Sequence, residues 1–358
     1  MKKKTVAWIV GVPAVLLVAA AAGAWAVFGT FVTAARSIRS LEDGLYCMEY
    51  IGDYGFDEFL AQGGADTDGA LADYLASYLS HGFYKPENEA QTGSFGCSAV
   101  CVTDERGGVY FGRNYDWEEC RAMIVHTRPK NGFESVSTCC LDFLGFGEDY
   151  RPDGTMTERI MTLAAIYVPL DGMNEKGLMV ADLMAGDRET THQKTDKADL
   201  TTTTAIRLLL DRAANVDEAV ELLKQYDMNS SIEAAHHLSI ADAAGKSAVV
   251  EYVNGEMLVT ETKIVTNHYL GDCEKNGVGS EGSHARFDRL EAWTGDADEA
   301  GVRKRLEAVA QKGSDGETIW SIVYLPGELR ADFYFRGQYD RGYRMTLRDR
   351  NGFISPEP

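Results

Sequence analysis

Apolar positions along the chain recur with two distinct periods, and the period decides the element. Three- and four-residue spacing predicts helices at Phe56 to Gln62 and at Ala70 to Leu79. The same spacing runs through Ile206, Leu209, Leu210 and Ala213, behind the N-cap candidates Thr201 to Thr204, and again from Asp217 through Val220, Leu222 and Leu223. Two further amphipathic helices are expected at Arg286 to Trp293 and Val302 to Ala310. β-Branched and aromatic runs predict strands at Tyr46–Ile51, Met123–Thr127, Ser135–Thr138, Leu178–Met184 and Ile264–Asn267, with three more at Ile319–Tyr324, Asp332–Arg336 and Tyr343–Leu347. His237–Asp242, Ser247–Val253 and Met257–Thr260 alternate around polar turns and form a meander. Meanders at both ends with paired helices between them predict an α+β fold, helices packed on sheets.

One stretch gathers chemistry. Gly96 to Thr103 and Val109 to Trp117 flank Asp104-Glu105-Arg106-Gly107-Gly108, which reads as a hairpin. With Glu105 and Arg106 at the tip, paired residue numbers sum to about 211, so Cys97 falls roughly opposite Asn114. A longer loop moves this by about one residue, and either register returns Arg113 and Asp116 to the Cys97 thiol. Cys101 reads as core, and so do Tyr115 and Trp117, with a pocket wall as their alternative place.

The N-terminus carries a different signal. Lys2, Lys3 and Lys4 precede a stretch from Thr5 to Ala35 without a charged residue. About 20 apolar residues span a bilayer, so residues 1–35 are expected to form a signal anchor, a single-pass transmembrane helix. The lysine cluster would stay inside and the chain beyond Arg36 outside. A secretory signal cut in the alanine-rich region is the alternative, giving a secreted protein.

The 358 residues suffice for one large or two ordinary domains. A net charge of -20 argues against a nucleic-acid partner, which needs a basic face. Seven cysteines, an odd number, leave at least one free thiol in an exported chain. None has zinc spacing, so neither a metal nor a cofactor is expected.

An unpaired cysteine is ordinarily a small buried hydrophobe. A cation such as Arg113 nearby favours the thiolate and makes Cys97 a candidate nucleophile. None of the seven histidines lies in a recognisable cysteine-peptidase signature. The α-amino group is another base, with a pKa near 7.7–8.0 suited to proton transfer at neutral pH. Cys97 supplies one only if the Gly96–Cys97 bond is cut, and glycine tolerates the unusual backbone such a bond requires.

Gly96-Cys97-Ser98 followed by Phe111-Gly112-Arg113-Asn114-Tyr115-Asp116-Trp117 resembles the choloylglycine hydrolase family, which includes bile salt hydrolases and penicillin V acylases. Asp171 to Leu178, Val265-Thr266-Asn267 and Ala285-Arg286-Phe287 also match family stretches, so the likeness runs from about Gly96 to Met345. The resemblance implies an αββα N-terminal-nucleophile sandwich over residues 97–358. It would be preceded by a pre-segment, residues 36–96, acting as propeptide or small subunit. It further implies that Cys97 is nucleophile through its thiol and base through its freed amine, and that Arg113 supports the thiolate. Asp116 would hold the amine, Asn267 would donate to the oxyanion, and Arg286 would orient Cys97 and Asp116. The implied reaction is hydrolysis of a linear C–N amide in a small N-acyl substrate, through a thioester. An acyltransferase and a catalytically silent extracellular binding protein are the alternatives, and a homo-oligomer is compatible with either. Two departures separate the chain from bile salt hydrolases. Met184 stands where they carry an asparagine, and the Asn267-to-Arg286 interval is short, as in acid ceramidase-like and penicillin acyltransferase-like relatives. Asn174 reads as a turn residue, and His268 and His284 as incidental neighbours.

Overall fold

The structure is a computed structural model that describes residues 28–80, 96–147, 149–313, 316–349 and 352–357. Helix α1 (residues 28–37) leads into strands β1 (Arg39–Glu42) and β2 (Leu45–Ile51) and helices α2 (Phe56–Ala61) and α3 (Asp68–Ser80). Strands β3 (Ser98–Thr103), β4 (Val109–Trp117), β5 (Ala122–Arg128) and β6 (Ser135–Cys140) follow, then α4 (Met156–Thr162), β7 (Asp171–Asn174) and β8 (Met179–Met184). Next come β9 (Asp199–Thr201), α5 (Thr202–Arg212), α6 (Val216–Leu223), β10 (Asp227–Asn229), β11 (His236–Ala241), β12 (Ser247–Val253), β13 (Glu256–Glu261) and β14 (Ile264–Val265). Helices α7 (Glu281–Glu291) and α8 (Glu299–Val309) precede β15 (Glu317–Leu325), β16 (Arg330–Phe335), β17 (Tyr343–Thr346) and β18 (Ile354–Pro356).

The strands form a nine-stranded sheet, ordered β1-β2-β5-β6-β7-β8-β11-β12-β13, and a seven-stranded sheet, ordered β14-β3-β4-β15-β16-β17-β18. Strands alternate their side chains between faces, so each sheet has two apolar faces to cover. Leu45, Ile124, Met173 and Met179 of the larger sheet meet Phe111, Ile322, Tyr324 and Phe333 of the smaller one. On the outer face of the larger sheet, Met48, Val125 and Val180 pack with Leu75, Ile206 and Leu209 of the helices. On the outer face of the smaller sheet, Val100, Val102 and Val323 pack with Val302 and Leu306 of α8. The result is a four-layer αββα sandwich. Gly112 lets α8 approach, because a Cβ there would lie 2.6 Å from Val302 Cγ1.

The capping residues place the helix starts. Thr155 and Glu158 form a reciprocal capping box at α4, and Thr201 and Thr204 do the same at α5. Ser280 caps α7, so this helix begins several residues before the expected Arg286. Leu163–Tyr167 is a buried 3₁₀ turn.

Two expectations concern the N-terminal part. The end of the charge-free stretch lies in α1, where Phe31, Ala34 and Ala35 are buried in the core and Phe31 packs edge-on to Tyr78 with ring centroids 5.5 Å apart. These residues belong to the folded body, not to a membrane span. Residues 1–27 lie outside the described residues, and among the described residues no helix is long and apolar enough to cross a membrane. The pre-segment, in turn, is built into the sandwich: β2 lies within the nine-stranded sheet, pairing in parallel with β5 from Leu45↔Ala122 to Ile51↔Arg128.

Candidate active site

The β3–β4 hairpin closes through a five-residue loop. The Asp104 N–H donates to the Gly108 carbonyl at 2.8 Å, and Asp104 Oδ1 accepts from the Arg106 and Gly108 N–H groups at 2.8 and 2.7 Å. Ser98 therefore pairs with Asn114 and Ala99 with Arg113, one residue from the tighter expected register. Continuing the ladder sets Cys97 beside Tyr115. Strand alternation turns Cys97, Tyr115 and Trp117 toward the layer between the sheets, where all three are buried. Asn114 reaches the opposite face and donates to the Leu306 carbonyl of α8.

Arg113 is wholly buried, a placement that is costly without compensation. Its Nη1 lies 3.1 Å from Asp171 Oδ2, and its Nη2 donates to the Asp182 carbonyl at 2.7 Å. Asp171 in turn accepts from Trp320 Nε1 at 3.0 Å, Tyr324 Oη at 2.7 Å, and the Thr138 hydroxyl. The guanidinium also stands over the Tyr115 ring, 4.7 Å from its centroid. Burial alone would depress the Arg113 pKa, but Asp171 and the Cys97 sulfur outweigh it and the group is raised. For Cys97 burial wins. It pushes the thiol up to about 12, against the opposing pull of Arg113. In the uncut chain this thiol is protonated, so attack must pass its proton to another group.

Asp116 sits at the other end of the site. Gln311 Nε2 donates to its Oδ2 at 2.7 Å and Thr318 Oγ1 to its Oδ1 at 2.5 Å. Burial raises its carboxyl to about 6 despite both donors and the nearby Arg286. Around the peptide bond before Cys97, the Cys97 N–H donates to Asn267 Oδ1 at 2.6 Å, and Gln311 Nε2 donates to the Gly96 carbonyl at 3.0 Å. Arg286 Nη2 donates to the same Asn267 oxygen at 2.7 Å. All five expected residues thus converge. Asn267 turns its oxygen to the Cys97 N–H, while one of the two N–H groups on its Nδ2 donates to the Met184 carbonyl at 2.8 Å.

A cavity of about 460 Å³ opens beside Cys97. Tyr115, Trp117, Phe143 and Met161 line it, and so do Leu75 and other residues of α3 from the pre-segment. Tyr115 and Trp117 therefore form a cavity wall as well as packing in the core. Phe143 meets Trp117 edge-on with ring centroids 4.7 Å apart. The polar part of the lining includes Asp182 and His236, whose Nδ1 lies 2.9 Å from Asp182 Oδ1. Burial lowers the His236 pKa, but Asp182 raises it further, so the net shift is upward.

Asp171, Asp182, His236, Gln311 and Thr318 were not singled out in the sequence as site residues. Of these, only Asp171 carried a signal, as the first residue of a matched family stretch. Asn174 serves the turn, its amide donating to the Leu210 and Ala213 carbonyls and accepting from the Lys176 and Leu178 N–H groups. His268 and His284 stack on each other with centroids 4.2 Å apart. Among the described residues two groups could share a metal ion: Cys120 with Cys140 and Asp142, and Glu299 with Asp332 and Glu357. Asp142 is already paired with Arg121, and Asp332 with Arg344.

Comparison with known proteins adds three findings. Residues 165–340 match the family model described as acyl-coenzyme A:6-aminopenicillanic acid acyl-transferase. A penicillin V acylase from Pectobacterium atrosepticum is 34% identical over 182 residues, which are 43% of this chain and 48% of that protein, so the chain spans about half the length of this relative. Among solved structures, a mutant conjugated bile acid hydrolase from Clostridium perfringens superposes with a TM-score of 0.54 at 16% identity, covering 73% of this chain and 96% of that one. A penicillin V acylase from Agrobacterium tumefaciens has a TM-score of 0.47 at 17% identity, covering 67% and 83%.

Proposed function

We propose that this chain, which is similar over nearly half its length to penicillin V acylase and to the acyl-transferase family model, is an N-terminal-nucleophile hydrolase that cleaves a linear amide carrying an apolar acyl group, using Cys97 after the Gly96–Cys97 bond is cut. The observation that carries this reading is the position of Cys97: its side chain borders an apolar cavity of about 460 Å³ while its amide nitrogen is held by Asn267. Cleavage converts that nitrogen to an amine whose ordinary pKa, near 7.7–8.0, suits it to take the thiol proton.

The acyl group lies in the cavity, and the Cys97 sulfur adds to the amide carbon. The substrate nitrogen leaves with a proton, a thioester forms on Cys97, and water releases the acid. Arg113 offsets the developing thiolate charge, as a buried cation beside a thiol does. Asn267 serves the amine through its oxygen, and of the two N–H groups on its Nδ2 one is held by the Met184 carbonyl, leaving the second to donate to an acyl oxyanion. Arg286 holds that same oxygen from the other side.

The test is a panel of acyl amides with graded apolar chains, together with penicillin V and conjugated bile acids. Wild type releases free acid from at least one, and Cys97→Ala releases none. Turnover by both proteins at the same rate, or by neither, rejects the reading. Acyl transfer to an amine is the second reading, favoured by the acyl-transferase family model that matches residues 165–340. Added amines would then divert product from acid to new amide in proportion to their concentration.

A further inference from the structure

We propose that Gln311 is a catalytic residue of maturation, its Nε2 stabilising the negative charge that develops on the Gly96 carbonyl oxygen when Cys97 attacks. The inference rests on the self-cleavage reading above and goes beyond it by assigning the donor that acts on the scissile bond.

Three observations converge. Gln311 Nε2 lies 3.0 Å from the Gly96 oxygen and 2.7 Å from Asp116 Oδ2, so its two N–H groups are divided between the scissile carbonyl and a carboxylate. An ionised carboxylate only accepts, which fixes the nitrogen of the Gln311 amide toward this side. Next, the Gln311 backbone is tied to β15 in both directions. Its N–H donates to Thr318 Oγ1 at 2.8 Å, and its carbonyl accepts from the Thr318 N–H at 3.1 Å. The donor is therefore held before any charge appears, as oxyanion stabilisation requires. Finally, Gly96 is the residue that admits it. A Cβ there would lie 1.9 Å from Gln311 Nε2 and 2.9 Å from Arg286 Nη2. Glycine ahead of Cys97 is needed for space.

In the first step the Cys97 S–H bond breaks and sulfur bonds to the Gly96 carbonyl carbon. The carbonyl π pair moves onto the oxygen that Gln311 faces. Collapse expels the Cys97 nitrogen, which takes up the proton released by the thiol and leaves a thioester between Gly96 and Cys97. Asn267 Oδ1, 2.6 Å from that nitrogen, accepts from the N–H through the change. Water then adds to the thioester carbon and the thiol leaves with a proton. A Gly96 carboxylate and a Cys97 with free amine and free thiol result, with one water consumed.

The experiment is a cell-free translation chase of the full chain, with uncut and cut forms counted by intact mass. Loss of one preorganised oxyanion donor costs roughly 10²–10³-fold in comparable systems, so Gln311→Ala should slow cutting by at least about 100-fold. Thr318→Val removes the other side-chain donor to Asp116 and one of the two ties on the Gln311 backbone but keeps the Gln311 amide and its second tie, and should slow cutting less than Gln311→Ala does. Gln311→Glu loses its donor at neutral pH and regains an O–H donor on protonation, so its cutting should recover as pH falls. That profile decides the matter if Gln311→Ala fails to fold, which near-ultraviolet circular dichroism would show. Cutting of Gln311→Ala at the wild-type rate, slowing no greater than that of Thr318→Val, or no acid recovery in Gln311→Glu would overturn the assignment alone. A wild-type chain that stays uncut would overturn the self-cleavage reading and this assignment with it.

Discussion

Arg113 has no exposure to water, and its charge is matched chiefly by Asp171. Removing one member of a buried ion pair leaves the other uncompensated, typically at a cost of about 3–5 kcal/mol. Asp171→Asn should therefore lower the urea unfolding free energy by about that amount; a change under about 1 kcal/mol would show that Arg113 finds another partner. Asp116 makes a pH-dependent prediction. Its carboxyl is raised from 3.8 to about 6, so the folded chain holds this proton more tightly than the unfolded chain does. Stability linked to Asp116 is then fully present below about pH 4 and is lost as pH rises through about 6, to a total of about 3 kcal/mol. In an uncut Cys97→Ala background, Asp116→Asn should flatten that slope in unfolding titrations between these limits. An unchanged slope assigns the titration elsewhere.

Helix α3 connects the pre-segment to the chemistry, because Leu75 lies both in the core under the larger sheet and in the cavity wall. Leu75→Trp should shorten the longest acyl chain accepted, raising KM for long chains about tenfold while short ones change little. Equal loss across chain lengths would mean a general packing defect. Since β2 is a ladder strand of the nine-stranded sheet, the two pieces of a cut chain should co-elute on gel filtration and part only in denaturant. The hairpin was legible because period-two alternation around a glycine-rich turn is a local signal. Its register was not, since a five-residue loop closed by Asp104 and a tighter turn share one composition. Helix α7 was read late because its first turn, Glu281-Gly282-Ser283, is polar and only the Ser280 cap marks it. Gln311 carried no signal, as its importance comes from a fold that returns the end of α8 to Gly96, 215 residues earlier in sequence.

Across the whole molecule, Arg113 and Cys97 are buried at the sheets, α3 supplies part of the cavity wall, and the segment after α8 supplies Gln311. The alternation pattern was enough to reach the α+β class, while the order of strands depends on contacts distant in sequence. The N-terminus joins this body through Phe31, Ala34 and Ala35. An anchor formed by the preceding charge-free residues should keep the chain in the carbonate-washed membrane pellet, whereas a cut signal should end before Phe31 and release it. The proposed catalyst exists only once one peptide bond, Gly96–Cys97, has been cut. N-terminal sequencing with intact mass of the purified full-length chain tests it most directly. Two pieces, the larger beginning at Cys97 in wild type and absent from Cys97→Ala, are the expected result. A single wild-type chain with Gly96–Cys97 intact would rule out self-cleavage and, with it, Cys97 as an N-terminal nucleophile.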